Sequence, residues 1–245
     1  MLAHSLDGPE GAPAVVLAGS LGTTRAMWEP QLDALGHFRV LRYDHPGHGE
    51  SPVVAVDGVT GLAREVVALL DRHQIASASF CGLSLGGAVA MQLAVDAPER
   101  LERLVLACTA ARFPNAAGYG ERAELVRREG VEPVADTVAG RWFTPAFRDA
   151  HPEVVRRYRA MLVATPPEGY ARCCEAVRDF DLNARLAEIR APTLVVAGAD
   201  DPATPPEVAP AIPGARTAVL PNAAHLASVE QPALFAHELV RHLAA

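Results

Sequence analysis

The sequence contains no lysine: all 22 of its basic residues are arginines, and they are outnumbered by 29 acidic residues. The formal net charge of -7 and the lack of a basic block argue against nucleic acid or an anionic membrane as the main partner, because the electrostatic force would be repulsive. Arginine and alanine codons are GC-rich and lysine codons are not. We therefore interpret the missing lysine as genome bias and not as an RNA-binding signature.

Long apolar runs and targeting signals are also missing. No stretch approaches the roughly 18 apolar residues of a spanning helix, and the opening "MLAHSLDGPEG" lacks the features of a signal peptide. The four cysteines show no zinc-binding spacing and fit a reducing compartment. We expect a soluble cytoplasmic protein with small buried thiols, and a vicinal disulfide between Cys173 and Cys174 is the alternative.

What the sequence does contain is an alternation of short apolar runs with helical stretches. With 245 residues, 50% of them hydrophobic, the chain can bury a sizeable core. Nearly continuous apolar runs are typical of parallel strands covered on both faces. Helix-compatible spacing follows at 61–73, 86–97 and 233–243. The pattern predicts an α/β fold with a doubly wound, mostly parallel sheet. The predicted strands span 12–20, 38–44, 77–82, 101–108, 191–200 and 215–221.

One region breaks this alternation. Between about Arg112 and Leu186 only helical segments occur, separated by proline and glycine. A connection of this length far exceeds the roughly 12 residues that a crossover needs. The sequence therefore predicts a core formed by 1–111 and 187–245, with an inserted helical cap at 112–186. We expect the cap to cover the carboxyl edge of the sheet, where ligands bind in such folds.

The stretch "FCGLSLGGAVAMQLA" places Ser84 in a G-x-S-x-G pattern, directly after a predicted strand and before a predicted helix. This context is typical of a nucleophile elbow, a strained turn that exposes the serine hydroxyl. Glycine at 82 and 86 removes side chains that would collide with the strand and the helix. Ser84 is therefore the candidate nucleophile, and the backbone N–H of Leu85 is a candidate oxyanion donor.

A serine needs a base, and in this fold the order along the chain is serine, acid, histidine. Of nine histidines, only His225, His237 and His242 lie in or beyond the last strand region. His225 follows a predicted strand end, where a loop can bring it over the elbow. His237 and His242 fall in the terminal helix, so we interpret them as surface or packing residues. His225 is the candidate base.

An acid must orient that base, and "VVAGADDPATPP" places Asp200 and Asp201 at a predicted strand end. A carboxylate there can hold the imidazole tautomer and stabilise the imidazolium. Spacing alone does not separate these two aspartates. Asp179 and Asp181, near the end of the cap, are weaker rivals.

Two further turns have a predicted role. The loop "AGSLGTTRAMW" follows an early strand, and the N–H of Leu21 beside Gly22 is the candidate second oxyanion donor. The turn "YDHPGHGES" carries His45 and His48, which suggest a metal pair. No third ligand has a suitable spacing, so we interpret them as histidines packed or hydrogen-bonded in a turn and expect no metal.

The sequence resembles the α/β-hydrolase superfamily over nearly all of its length. More narrowly, "SLGTTRAMWEPQ", "RYDHPGHGES", "RWFTPAF", "ATPPEGYARCCEAVRDFDL" and "AGADDPATPP" resemble the 3-oxoadipate enol-lactonases. The family pattern of a glycine followed three positions later by the acid favours Asp201. The resemblance implies hydrolysis of a small anionic enol-lactone in aromatic-compound catabolism, without a cofactor. The oligomeric state stays open.

An anionic substrate of this size brings little apolar surface, so we expect an arginine to orient it. Arg141 beside Trp142 in the cap is the first candidate, and Arg25 is its rival. Other activities stay open on the same scaffold: a carboxylesterase, a carbon–carbon bond hydrolase, or a ligand receptor that keeps the triad.

Overall fold

Apolar runs form the buried centre of a single sheet in the computed structural model, which describes all residues from Met1 to Ala245. Strands β2 (Ala14–Ala18), β4 (Ala78–Leu83) and β6 (Thr193–Gly198) are buried at every position. This is expected where helices cover both faces of parallel strands. The remaining strands are β1 (His4–Asp7), β3 (Arg39–Tyr43), β5 (Leu101–Ala107) and β7 (Arg216–Leu220).

The sheet has the order β1-β3-β2-β4-β5-β6-β7. Every neighbouring pair is parallel except β1 and β3, which pair antiparallel from His4↔Tyr43 to Asp7↔Val40. After the edge strand β1, the parallel strands start at β2 and follow one another outward in both directions, which confirms the predicted doubly wound, mostly parallel sheet. β1 is an additional edge strand that the apolar runs do not predict.

Four helices pack around this sheet: α1 (Gly58–Arg72), α2 (Leu85–Asp96), α8 (Ala227–Glu230) and α9 (Pro232–Leu243). Helix α2 is buried continuously from Leu85 to Ala94, because it packs against the central strands β2, β4 and β5. The sequence of this helix is apolar on all sides, as expected for a helix enclosed by protein. Its position fixes Ser84, which immediately precedes it, at the centre of the sheet's carboxyl edge.

Five helices lie between β5 and β6, in the region where the sequence predicts no strand. They are α3 (Ala116–Glu129), α4 (Glu132–Trp142), α5 (Pro145–Ala150), α6 (Pro152–Val163) and α7 (Pro167–Asp179). Helix α3 packs on α7, and α4 packs on α6. The sequence does not predict α5, a six-residue helix that starts at a proline after the capping residue Thr144.

All four cysteines are buried free thiols, which confirms the expectation of small buried residues and leaves Cys173 and Cys174 unbridged. None of the helices has both the length and the apolar character that crossing a bilayer demands.

Candidate active site

Ser84 occupies a sharp turn between β4 and α2. Its backbone angles are φ 58 and ψ -114, a conformation that non-glycine residues rarely adopt and that costs about 1–3 kcal/mol. Two hydrogen bonds to the β5 side hold the turn. The Ser84 N–H donates to Ala107 O at 2.9 Å, and the Thr109 hydroxyl donates to Ser84 O at 2.8 Å. The local geometry is that of the predicted elbow.

The glycines on either side of Ser84 are required by close backbone contacts. A Cβ at Gly82 would overlap the carbonyl of Gly86, and a Cβ at Gly86 would overlap the carbonyl of Ala18. The N–H of Gly86 also donates to Gly19 O at 3.0 Å. The helix can therefore begin directly against β2 only because position 86 has no side chain.

His225 and Asp201 form a hydrogen-bonded pair beside the elbow, with His225 Nδ1 and Asp201 Oδ2 2.9 Å apart. Asp201 is only 2% exposed and also accepts from the Thr204 hydroxyl and from the N–H groups of Ala203 and Thr204. Burial alone would raise the pKa of Asp201. The His225 charge and these hydrogen bonds outweigh burial and lower the pKa to about 2. Asp201 is therefore an ionised partner for His225 at neutral pH.

The rival aspartates lie elsewhere. Asp200 is exposed, and its N–H donates to Ala223 O. Asp179 pairs with Arg178, and Asp181 accepts hydrogen bonds from Asn183. None of these three carboxylates contacts His225, so the geometry singles out Asp201 among the predicted candidates.

Ser84 and His225 line one pocket at the carboxyl edge of the sheet, together with Leu21, Trp142 and Tyr170. The pocket is partly open to solvent. No hydrogen bond joins the Ser84 and His225 side chains here, and such bonds often shorten only when substrate binds. A larger groove between α1 and α2 has neither a serine nor a histidine in its lining.

Leu21 also lines this pocket. The backbone N–H groups on either side of Leu21 have partners. The Ser20 N–H contacts Met27 Sδ at 3.4 Å, and the Gly22 N–H donates to His48 Nε2 at 3.0 Å. The Leu21 N–H has no such partner. Leu85 is the first residue of α2, where N–H groups have no acceptor within the helix. Leu85, the residue after Ser84, and Leu21, in the same pocket as Ser84, therefore each have a backbone N–H without an acceptor.

His45 and His48 are tied into the turn that supports this loop. His45 Nε2 is 2.9 Å from Gly19 O, and His48 Nδ1 is 3.1 Å from Pro46 O. Burial lowers the pKa of His45 to about 3 and that of His48 to about 4, so both rings are neutral near pH 7. No cluster of three or more His, Cys, Asp or Glu residues with metal-binding geometry occurs in the protein.

The three arginines of interest occupy different environments. Arg141 lines the pocket from the exposed end of α4 and forms no ion pair, and Trp142 beside it is 3% exposed. Arg25 lies outside the pocket because its guanidinium pairs with Asp44 and Glu50. Arg122 of α3, which the sequence analysis did not single out, lines the pocket and has no acidic partner.

Two tyrosines of the pocket were likewise not predicted. The guanidinium of Arg122 lies over the Tyr119 ring at 4.9 Å from its centroid. The Tyr170 hydroxyl is fully buried and interacts with the Arg122 guanidinium, but no protein group accepts its proton. These residues belong to α3 and α7, and no motif in the sequence indicates that the two helices meet over Ser84.

Comparison with known proteins identifies the family. Residues 13–232 match the model of the alpha/beta hydrolase fold. A 3-oxoadipate enol-lactonase 2 of Acinetobacter baylyi is 39% identical over 96% of this chain and 90% of its own length. An enol-lactonase structure from Burkholderia xenovorans superposes with a TM-score of 0.96 at 40% identity, covering 100% of this chain and 96% of that chain. An esterase from Thermogutta terrifontis, solved with malate bound, is 31% identical with a TM-score of 0.93 over 99% and 93% of the two chains. These similarities confirm the resemblance predicted from the motifs, and the chain belongs to the α/β-hydrolase family.

Proposed function

We propose that the protein hydrolyses 3-oxoadipate enol-lactone to 3-oxoadipate with Ser84, His225 and Asp201 as its catalytic triad. The observation that carries the proposal is one pocket in which the strained Ser84 and the Asp201-bound His225 face a ligand space lined by two arginines and no acid. The enol-lactonase relatives from two bacteria, at 39% and 40% identity, support a lactone as substrate.

Acylation begins when His225 takes the Ser84 proton and the serine oxygen attacks the lactone carbonyl. The negative charge that develops on the carbonyl oxygen is stabilised by the N–H groups of Leu21 and Leu85. Collapse of the tetrahedral intermediate breaks the ring ester bond and expels an enolate, which His225 protonates. An enolate is a better leaving group than an alkoxide because its negative charge is delocalised, and the protonated enol then becomes the ketone.

Deacylation repeats the same steps with water. His225 activates a water molecule, which attacks the acyl-enzyme and releases the second carboxylate while Ser84 regains its proton. Asp201 holds the imidazole orientation and stabilises the imidazolium in both halves of the reaction. All proton transfers are made by side chains of this chain, so the proposed reaction requires neither a metal nor an organic cofactor.

The cations of the pocket suit the free carboxylate of such a lactone. Arg141 at the exposed end of α4 supplies positive charge at the pocket mouth, in a chain whose net charge is -7. A local positive field at the mouth of an otherwise acidic protein favours entry of anions. Trp142 adds an apolar wall for the lactone ring.

The test is an assay of the purified protein on enol-lactone generated in place by upstream enzymes. Ser84→Ala and His225→Ala are each expected to lower kcat at least about 1000-fold, and the double variant is expected to lose little more, because triad residues act as a unit. His237→Ala is the matched control, since His237 lies on α9 outside the pocket, and it is expected to keep wild-type activity. Full activity of Ser84→Ala would exclude the mechanism.

A carboxylesterase is the second candidate, favoured by the similarity to the Thermogutta terrifontis esterase. Substrate preference distinguishes the lactonase from the carboxylesterase. An enol-lactonase is expected to prefer the anionic lactone in kcat/KM over a neutral ester such as p-nitrophenyl acetate. Efficient turnover of neutral aryl esters without lactone turnover would favour the esterase.

A further inference from the structure

Two polar side chains that line the pocket, on helices α3 and α7, have no acidic or acceptor partner in the protein. Arg122 forms no ion pair, and no protein group accepts the proton of the buried Tyr170 hydroxyl, which interacts with the Arg122 guanidinium. An unsatisfied buried hydroxyl costs about 1–3 kcal/mol, and a ligand that accepts a hydrogen bond from it would remove this cost.

The arrangement of charges on α3 shows that Arg122 differs from other arginines of the same helix. Arg127 pairs with both Glu168 and Glu175 of α7, at 2.8 and 2.6 Å, and so ties the outer faces of the two helices together. Arg122 faces the pocket, where the lining contains no aspartate or glutamate. The helix pair therefore keeps one guanidinium free at the site and neutralises another outside it.

The immediate surroundings of Arg122 fix where it can act. Its guanidinium lies over the Tyr119 ring, 4.9 Å from the centroid, which restricts the side chain. Burial raises the pKa of Tyr170, and the positive charge of Arg122 acts in the opposite direction, so the two groups are close. The Tyr170 hydroxyl stays protonated near pH 7 and is a donor.

We infer that Arg122 and the Tyr170 hydroxyl form the subsite that binds the free carboxylate of the substrate, with Arg141 contributing only at the mouth. A planar guanidinium matches the two oxygens of a carboxylate, and a hydroxyl supplies a further donor. Arg122 is partly buried and Arg141 is exposed, so an ion pair with Arg122 is less screened by water. The inference rests on the proposed function for the identity of the substrate. The preference for a carboxylate follows from the residues of the pocket and does not depend on that function.

The variants that test the subsite remove the charge of Arg122 or the hydroxyl of Tyr170 and keep a side chain of similar size. Arg122→Met is expected to raise KM for the enol-lactone roughly 10- to 100-fold and to change kcat/KM for p-nitrophenyl acetate less than about twofold. Tyr170→Phe is expected to raise the same KM about 3- to 10-fold. Arg128→Met is the matched control, because Arg128 lies on α3 outside the pocket, and it is expected to leave both substrates unchanged.

A binding measurement separates this subsite from the proposed function. Glutarate serves as the anionic probe and glutaramide as its neutral counterpart, titrated calorimetrically into Ser84→Ala and into Ser84→Ala with Arg122→Met. Glutarate binding that weakens at least about tenfold on loss of Arg122, with no binding of glutaramide, supports the subsite even where the wild-type enzyme does not hydrolyse the lactone. Equal glutarate binding to both proteins, or an equal loss of activity on anionic and neutral substrates in Arg122→Met, would overturn it.

Discussion

Asp201 has its hydrogen-bonding capacity nearly filled. Oδ1 accepts from the N–H groups of Ala203 and Thr204, and Oδ2 lies within hydrogen-bonding distance of the Thr204 hydroxyl and His225 Nδ1. A carboxylate held at four points cannot rotate away from the imidazole. The turn "DDPAT" thus converts one of two adjacent aspartates into a fixed acceptor and leaves the other in solvent.

This difference predicts unequal effects of two otherwise matched substitutions. Asp201→Asn is expected to lower kcat on the enol-lactone about 1000-fold or more, because the amide favours the wrong imidazole tautomer and gives no charge support. Asp200→Asn is expected to stay within about twofold of the wild type. Steady-state kinetics of both variants check the prediction. A large loss of kcat in Asp200→Asn, with Asp201→Asn still active, would show that Asp200 and not Asp201 is the acid that orients His225.

The sequence predicts the residues around Ser84 because a nucleophile elbow imposes local rules. The glycines at 82 and 86 are needed by contacts within a few residues of the turn or with the neighbouring strand. The proposed carboxylate subsite follows no such rule. Arg122 and Tyr170 are 48 positions apart on two helices, and only their packing brings them to one pocket. Arg25 was a plausible rival in sequence, but the nearby Asp44 and Glu50 neutralise it.

At the scale of elements, Glu230 of α8 joins the histidine loop to the end of α4. It is 7% exposed, and Oε1 accepts from the Thr144 N–H at 2.7 Å and from the Thr144 hydroxyl at 2.8 Å. Oε2 accepts from the N–H of Ala224, the residue before His225. The Leu226 N–H also donates to the carbonyl of Trp142 at 2.9 Å. One buried carboxylate therefore connects the segment that carries His225, the proposed base, with the residue that follows Phe143 after α4.

Glu230→Gln is expected to disturb both ends of this connection, since an amide nitrogen would face at least one backbone N–H. We expect the free energy of unfolding to fall by about 1–3 kcal/mol, kcat to fall roughly tenfold through His225, and KM to rise through Trp142. Chemical denaturation and steady-state kinetics measure these effects.

The matched control for this substitution is Glu238→Gln. Glu238 is also a glutamate in a helix, and it pairs with Arg216 and Arg241 away from the pocket. It is expected to leave kcat and KM unchanged. If Glu230→Gln lowered stability but kept wild-type kinetics in the folded protein, its role would be structural only.

Elements were predictable from sequence where burial sets the pattern. The buried strands β2, β4, β5 and β6 fall within or within one residue of the apolar runs, because strands enclosed on both faces must be apolar. β1 has the sequence HSLD and is only partly buried, so its pairing with β3 leaves no apolar signal. Helix α5 has six residues and no fully buried position, which is too little to show a periodicity.

At the scale of the whole molecule, one of the inserted helices meets the core in a close backbone contact between two glycines. A Cβ built on Gly169, at the start of α7, would lie 2.5 Å from Gly47 Cα and 2.6 Å from Gly47 O. Gly47 belongs to the turn that carries His45 and His48, and it has φ +69. The backbone of α7 therefore rests directly on the turn that supports the oxyanion loop, and Tyr170 follows the contact by one residue.

This contact reverses the usual effect of replacing a helical glycine by alanine. Gly140→Ala in α4 meets only Arg148 Nη1 at 3.7 Å, so it is expected to stabilise the protein by about 0.5–1 kcal/mol. Gly169→Ala is expected instead to destabilise it by about 1–3 kcal/mol, because two backbones must separate. Displacement of α7 would also move Tyr170, so KM for the enol-lactone should rise in Gly169→Ala while Gly140→Ala keeps wild-type kinetics. Urea denaturation and steady-state kinetics of the two variants test this. Stabilisation of both variants to a similar degree would show that α7 is free to shift on the core without consequence for the site.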